Sequence, residues 1–283
     1  MSTDGIQVTG VESHPVESSV KIHGPPGCGK TTQLQERVVG LLERGYDISD
    51  ICFVTYRREM AQEFLRRLYE GGHISKAEWQ EPYDNDTRYF GTLHAVCNRL
   101  SNTYADVATD SDKRDFCDQT YNVGFNGHDD RNSIGDTAAS SAGSELFEAW
   151  QWMIENKKVS EGFESYPSYA ELNERWPFHP TAEEFDADWS AYKEENDLRD
   201  FSDMLRSVDE NGVTPPRKVV VADEYHDFTP IMHSIVNQWM DAADVRIVGG
   251  DPLQAIYTYK GATPEFFRDV DFPEVLLDRT YRV

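Results

Sequence analysis

The sequence is short of several things, and each shortage closes off a class of protein. Four cysteines occur in 283 residues, Cys28, Cys52, Cys97 and Cys117, and no two form a C-x-x-C pair. Neither a zinc site nor a dithiol redox motif is indicated, and Cys52 in an apolar run suits a reducing compartment. No charged-then-apolar leader opens the chain, and no apolar run reaches membrane length. The expectation is a soluble cytoplasmic protein with no membrane partner. Lysine is scarce: nine, with eighteen arginines, stand against 51 acidic residues, for a formal net charge of -24. A lysine-poor, acidic surface suggests a salt-rich cytosol; an ordinary acidic protein with a basic partner is the alternative, disfavoured because the acids are spread along the whole chain. Such a charge also argues, by itself, against a nucleic-acid partner. Aromatic residues are not short at 12%, which favours packed structure over disorder, and the length allows one large or two moderate domains.

One stretch organises the rest. His23-Gly24-Pro25-Pro26-Gly27-Cys28-Gly29-Lys30-Thr31-Thr32 contains G-x-x-x-x-G-K-T, a phosphate-binding loop. Val20-Lys21-Ile22-His23 is a β-prone run before it. Leu34, Val38, Leu41 and Leu42 recur at helical spacing after it, up to a stop at Gly45. A loop between a strand and a helix N-terminus turns backbone N–H groups toward a polyphosphate. Lys30 is expected at the β- and γ-phosphates, and the Thr31 hydroxyl at Mg²⁺. A Gly-Pro turn before a surface helix is the bland alternative, and it leaves the strand, the lysine and the threonine in register without explanation.

Further strand-to-helix units follow. Ile51-Cys52-Phe53-Val54-Thr55 reads as a buried parallel strand, with a helical segment from Arg58 to Leu68. Tyr89-Phe90 leads through Gly91-Thr92-Leu93-His94 into another helix. Three such units imply a parallel α/β sheet. Residues 101–216 break the rhythm, with 26 acidic and 9 basic residues. Asn132 to Ser144 reads as a loop. The aromatics from Phe147 to Tyr192 read as the core of a helical insertion rather than a base-stacking surface. The sheet resumes at Lys218–Ala222, Val245–Gly249 and Val275–Leu277.

In open α/β sheets ligands gather at the carboxyl ends of the strands. The phosphate loop, Asp223-Glu224, Asp251 to Gln254, and Arg282 all follow strand ends, so they can converge. Asp223 is expected to hold Mg²⁺, directly or through water, and Glu224 to orient and deprotonate an attacking water. Gln254 has the length to sense a γ-phosphate, and Arg282 can neutralise charge there.

These residues resemble the superfamily 1 DNA helicases of the UvrD/Rep/PcrA type. Gly24–Thr32 matches their first motif. Thr55-Tyr56-Arg57-Arg58-Glu59-Met60-Ala61-Gln62-Glu63-Phe64 is similar to Thr-Phe-Thr-Asn-Lys-Ala-Ala-x-Glu-Met, and Gly91-Thr92-Leu93-His94 to Gly-Thr-Phe-His. Asp200-Phe201-Ser202-Asp203-Met204-Leu205 resembles Asp-Phe-Asp-Asp-Leu-Leu, and Asp223-Glu224-Tyr225-His226-Asp227 resembles Asp-Glu-Tyr-Gln-Asp. Gly250 to Ala262 matches Gly-Asp-Pro-x-Gln-x-Ile-Tyr-x-(aromatic)-Arg-Gly-Ala, and Thr280-Tyr281-Arg282 resembles Asn-Tyr-Arg. The seven matches stand in order and cover roughly residues 20–100 and 200–283.

The resemblance implies an α/β fold: a P-loop RecA-like parallel sheet flanked by helices, with a mainly helical insertion. Residues 1–100 and 200–283 would form motor domain 1A, and 101–199 subdomain 1B. ATP and Mg²⁺ would be the cofactors. Gly24, Pro25, Pro26, Gly27, Cys28, Gly29, Lys30, Thr31 and Thr32 would cradle the nucleotide, with Thr31 and Asp223 at the metal. Glu224 would be the base, Gln254 would link the γ-phosphate to the strand groove, Tyr281 would stack near adenine, and Arg282 would contact the γ-phosphate. Thr55, Tyr56, Arg57, Thr92, His94, Tyr257 and Tyr259 would face single-stranded DNA.

Three departures stand out. Gln7 is a weak match to the family's adenine-reading glutamine. His226 replaces a glutamine. The chain stops at Val283, before the family's second motor domain. The expectation is therefore half a nucleotide site, weak ATP binding and no unwinding without a partner domain in cis or in trans. Two other classes stay open: a small-molecule P-loop kinase, in which Gly250–Ala262 has no place, and a nucleotide-dependent DNA-binding or scaffolding module without productive hydrolysis.

Overall fold

The computed structural model describes residues 14–101, 105–127, 141–255, 258 and 261–277. Gln7, Tyr257, Tyr259, Tyr281 and Arg282 lie outside the described residues.

Among the described residues, six parallel strands form the central sheet: β1 (Val20–His23), β2 (Ile51–Thr55), β3 (Phe90–Thr92), and, after a long helical stretch, β6 (Val219–Ala222), β7 (Val245–Gly250) and β8 (Glu274–Leu276). Their spatial order is β3-β2-β6-β7-β1-β8, and every pairing is parallel. The expected strands are present, with β7 one residue longer and β8 shifted by one. Parallel sheets are covered on both faces, and side chains alternate between faces. Val219 and Val221 accordingly join Ile51, Phe53, Val20, Ile22 and Ile247 on one side. Val220 and Ala222 join Cys52, Val54 and Val248 on the other.

The first face is covered by α1 (Lys30–Glu43) and α2 (Arg58–Glu70). Leu34, Val38 and Leu41 pack inward from α1, and Phe64, Leu65 and Leu68 from α2. The outer side of α2 is laced by Glu63 to Arg66 and Arg67 at 2.7 Å each, spacings that support an exposed helical face.

The second face is covered by α4 (Leu93–Leu100), α6 (Ala142–Glu155), α8 (Ala182–Glu195), α9 (Phe201–Asn211) and α10 (Pro230–Asp241). Shorter helices complete this layer, α5 (Asp110–Phe116), α7 (Tyr169–Arg175) and α11 (Pro264–Arg268), while α3 (Lys76–Gln80) sets Trp79 against Tyr69 of α2 on the first face. Here the structure differs from a separately cored insertion. Phe116, Phe147, Trp150, Phe185 and Trp189 form one continuous apolar cluster with the sheet's second face. Their rings meet edge to face, as Phe147 does with Phe185 at 5.1 Å and with Trp189 at 5.0 Å, the favoured aromatic geometry. Phe178 is the exception, 99% exposed. The loop expected over 132–144 ends sooner than its composition suggests: the Ser141 hydroxyl accepts the Ser144 amide and starts α6 at Ala142. Two-residue strands β4 (Asp106–Val107) and β5 (Leu198–Arg199) pair in parallel. They draw the two ends of the helical stretch together, and two residues are too few for a period-2 signal.

Candidate nucleotide site and strand edge

Because all six strands run the same way, their carboxyl ends share one edge. The phosphate loop leaves β1 at His23 and enters α1 at Lys30. Gly27 and Gly29 have φ of 71° and 94°, a region that penalises any side chain. Gly24 is needed for space, since a Cβ there would run into the Leu277 carbonyl. Lys30 is buried, and its Nζ donates to the Gly24 carbonyl at 2.9 Å and the Pro25 carbonyl at 3.4 Å. Its described hydrogen-bond partners are neutral carbonyls rather than a carboxylate, which leaves the lysine available to an incoming anion.

The Thr31 hydroxyl donates to Asp223 Oδ2 at 3.1 Å. That bond joins the loop after β1 to the end of β6. Asp223 has no exposed surface. Burial pushes its carboxyl up, and the Glu224 charge adds to this, to about 7; the Glu224 amide, the Thr31 hydroxyl and the Lys30 charge act the other way. Glu224 takes φ 54°, an uncommon conformation for a residue with a side chain. Burial and the Asp251 charge raise its carboxyl, while Lys30 and Arg57 oppose the rise. A raised carboxylate beside a phosphate loop has the basicity of a general base.

From β7, Asp251 accepts the Leu253 amide at 3.0 Å and the Gln254 side-chain amide on its carboxylate. The Asp251 amide in turn donates to His226 Nδ1 at 3.0 Å. Asp223, Glu224 and His226 all feel the Lys30 charge, and Glu224 feels Asp251. The exits of β1, β6 and β7 therefore form one electrostatic unit.

A polyphosphate and a magnesium ion fit this chemistry. The loop supplies amides and an ammonium. Thr31 and Asp223 supply two hard oxygen donors, and a cation would relieve the raised Asp223 carboxyl. Among the described residues, no cluster of three or more His, Cys, Asp or Glu side chains could hold a metal by itself.

The residues expected to face a strand lie at the other end of the edge, after β2 and β3. Three strand spacings separate β2 from β1, about 14 Å. Tyr56 is half-buried against the helical layer, and Arg57 is exposed. Thr55 departs from its expected role: it is wholly buried, with its hydroxyl toward Met60 Sδ at 3.9 Å. Sealed at the end of β2, its side chain has no surface to offer a strand. Thr92 is half-buried, and its hydroxyl accepts the Ala95 amide to cap α4. His94 sets its ring edge-on to Phe201 at 6.1 Å, and burial pushes its imidazole down to about 4.

Four residues at this edge, Phe201, Gly249, Gly250 and His226, carry no role in the sequence analysis. Phe201 is 59% exposed. Gly249 and Gly250 leave room where β7 approaches Asp223 and His226; paired glycines at a strand end are the legible signal of such an approach. His226 was visible only as a departure from the family motif.

Comparison with known proteins gives a family. Residues 6–272 match the UvrD/REP helicase N-terminal domain. The chain belongs to that family. Over 67 residues it is also 40% identical to the ATP-dependent DNA helicase UvrD2 of Mycobacterium bovis and of Mycobacterium tuberculosis. That stretch is 22% of this chain and 10% of each relative. The family assignment thus rests on nearly the whole chain, and the relatives on a short part of it. Among the described residues no helix is long and apolar enough to cross a membrane.

Proposed function

We propose that the chain is the ATP-binding motor domain of an ATP-dependent DNA helicase or translocase acting on single-stranded DNA. A second motor domain, in the same polypeptide or in trans, would close the nucleotide edge. The observation that carries this reading is the Thr31–Asp223 hydrogen bond at 3.1 Å, with Glu224 next in the chain. The named activity of the matched relatives supports it, as does an apolar side chain, Leu253, 91% exposed beside Gln254.

In this reading Lys30 holds the β- and γ-phosphates, and Tyr281 and Arg282 attend the adenine and the γ-phosphate. Thr31 and Asp223 would hold Mg²⁺, which would supply charge neutralisation at the phosphates. Glu224 takes a proton from the attacking water as its oxygen bonds to the γ-phosphorus and the bond to the β-phosphate oxygen breaks. Gln254 reports the change toward the strand. Tyr56, Arg57, Thr92, His94, Tyr257 and Tyr259 contact the strand, while Thr55 supports them from beneath. Residues 1–100 and 200–283 act as domain 1A, and 101–199 as subdomain 1B.

The acidic, lysine-poor composition fits a protein of a salt-rich cytoplasm. At roughly 1 M salt the screening length falls to about 3 Å. Stacking, about 1–3 kcal/mol per base, then outweighs phosphate contacts. ATP hydrolysis measured with and without single-stranded DNA tests the reading. Stimulation by the strand, and its loss in Glu224→Gln, are expected. Hydrolysis indifferent to both the strand and Glu224 would refute it.

A further inference from the structure

Between the exits of β6 and β7 stands a side chain with no task in the scheme above. His226 is 2% exposed. Its Nδ1 accepts the Asp251 amide proton at 3.0 Å. A backbone N–H can only donate, so Nδ1 carries the lone pair and the ring proton sits on Nε2. Nε2 faces Asp227 Oδ1 at 3.7 Å.

Glu224 Oε2 lies 3.5 Å from the same Nδ1. With Nδ1 already accepting, that approach is a carboxylate beside a lone pair and not an ion pair. The ring thus bounds the space open to the Glu224 carboxylate. Burial, together with the Lys30 charge, pushes the imidazole down to about 4, so the ring is neutral near pH 7. Gly250 passes so close that a Cβ there would sit 3.2 Å from Nδ1, which leaves the ring little freedom. On the far side Asp251, pinned by its amide, caps the next turn and holds the Gln254 amide.

We propose that His226 is a positioning residue: through Nδ1 it locks the Glu224 turn to the Gln254 turn, so that the base and the strand-facing amide keep one relative placement. This rests on the reading of Glu224 as base and Gln254 as its link to the strand. A glutamine, the residue of the family motif, can also accept a proton but on a longer, freer side chain. The imidazole makes the same kind of link rigid.

The test uses the full chain with ATP, with and without single-stranded DNA, in three variants. His226→Asn places Oδ1 near the position of Nδ1 and keeps the acceptor. His226→Phe keeps a flat ring and loses it, and His226→Ala loses it with no crowding. For Phe and Ala we expect kcat about tenfold lower, KM within about threefold, strand stimulation reduced toward nil, and Asp251 amide exchange about tenfold faster. His226→Asn keeps all four near wild type. A Phe or Ala variant with wild-type stimulation and amide protection overturns the proposal, and so does an Asn variant as impaired as Phe. If wild type and Glu224→Gln hydrolyse alike, the base assignment fails instead. Asp251 exchange then decides on His226: unchanged protection in the Ala variant overturns the lock, and faster exchange upholds it.

Discussion

Two aspartates are almost equally hidden and end in opposite states. Asp200, at the start of α9, is 7% exposed; Asp223, at the end of β6, is 0% exposed. Asp200 Oδ2 accepts from Trp189 Nε1 at 2.7 Å and Lys193 Nζ at 2.9 Å, and Oδ1 accepts the Asp203 amide at 2.9 Å. Burial alone would raise its carboxyl, yet the Lys193 charge and these donors hold it below the usual range. Asp223 has a hydroxyl and one amide instead, and burial wins. A buried carboxylate that has its cation is a rivet between α8 and α9. One that has no bonded cation among the described residues fits the metal-holding role proposed for Asp223. On the proposed function, the difference separates a residue that holds the fold from one that serves the chemistry.

The sharpest way to break this comparison is chemical. Asp223→Asn and Glu224→Gln should each lower ATP hydrolysis by about 10²–10⁴-fold in steady-state assays, with far-UV circular dichroism unchanged. Lys193→Ala should leave hydrolysis per folded molecule near wild type. Comparable losses of activity from the Lys193 and Asp223 changes would erase the distinction.

The next effect is on stability, and its sign differs between the two sites. Lys193→Ala strands a buried charge and should cost about 3–5 kcal/mol in urea unfolding. Asp223→Asn removes a carboxylate that pays for its burial without a bonded cation, and should be neutral or stabilising by about 1 kcal/mol. Destabilisation by Asp223→Asn as large as that by Lys193→Ala would mean that Asp223 is structural after all.

The same contrast explains what was legible in the sequence. The strands were legible because a strand buried on both faces is a continuous apolar run, as in Val219 to Val221. The phosphate loop was legible because glycine is the residue that tolerates its backbone. The Asp200 knot was visible only as a motif. That Lys193 would reach it depends on how α8 lies against α9, which no local pattern encodes. The placement of Thr55 was misjudged for the same reason: position in a motif does not say whether the end of a strand is covered. Nor could the residue type of His226 reveal its acceptor role, which arises from the approach of β7 to β6.

A smaller effect concerns pH. With no metal bound, Asp223 stays protonated up to about 7 against an ordinary value of 3.8. Its contribution to stability is present below the ordinary value and is lost as pH rises to about 7. Magnesium needs the ionised form, so its affinity should climb with pH and level off above about 7, by at most about tenfold per unit. Titration of Mg²⁺ between about pH 5 and 8, with Asp223→Asn as reference, checks this. His94 and His226, both pushed down to about 4, contribute alike to both proteins and cancel. A pH-independent difference in Mg²⁺ affinity would break the assignment of Asp223 as the receptor.

The smallest expected effect tests whether the strand end of the edge speaks to the nucleotide end. Arg57 is exposed, yet its charge lowers the Glu224 carboxyl. Removing it should raise the Glu224 pKa, and a base must be ionised to act. Arg57→Ala should therefore move the acid limb of the hydrolysis profile to higher pH, by roughly a few tenths of a unit for a solvent-screened charge. At about 1 M salt the shift should vanish, because screening removes the interaction from wild type as well. A strand phosphate that draws Arg57 away would act on Glu224 as the alanine variant does. The profile measured with single-stranded DNA present should then be nearly the same in both proteins. A shift that survives high salt would mean that Arg57 shapes the site by contact rather than by charge.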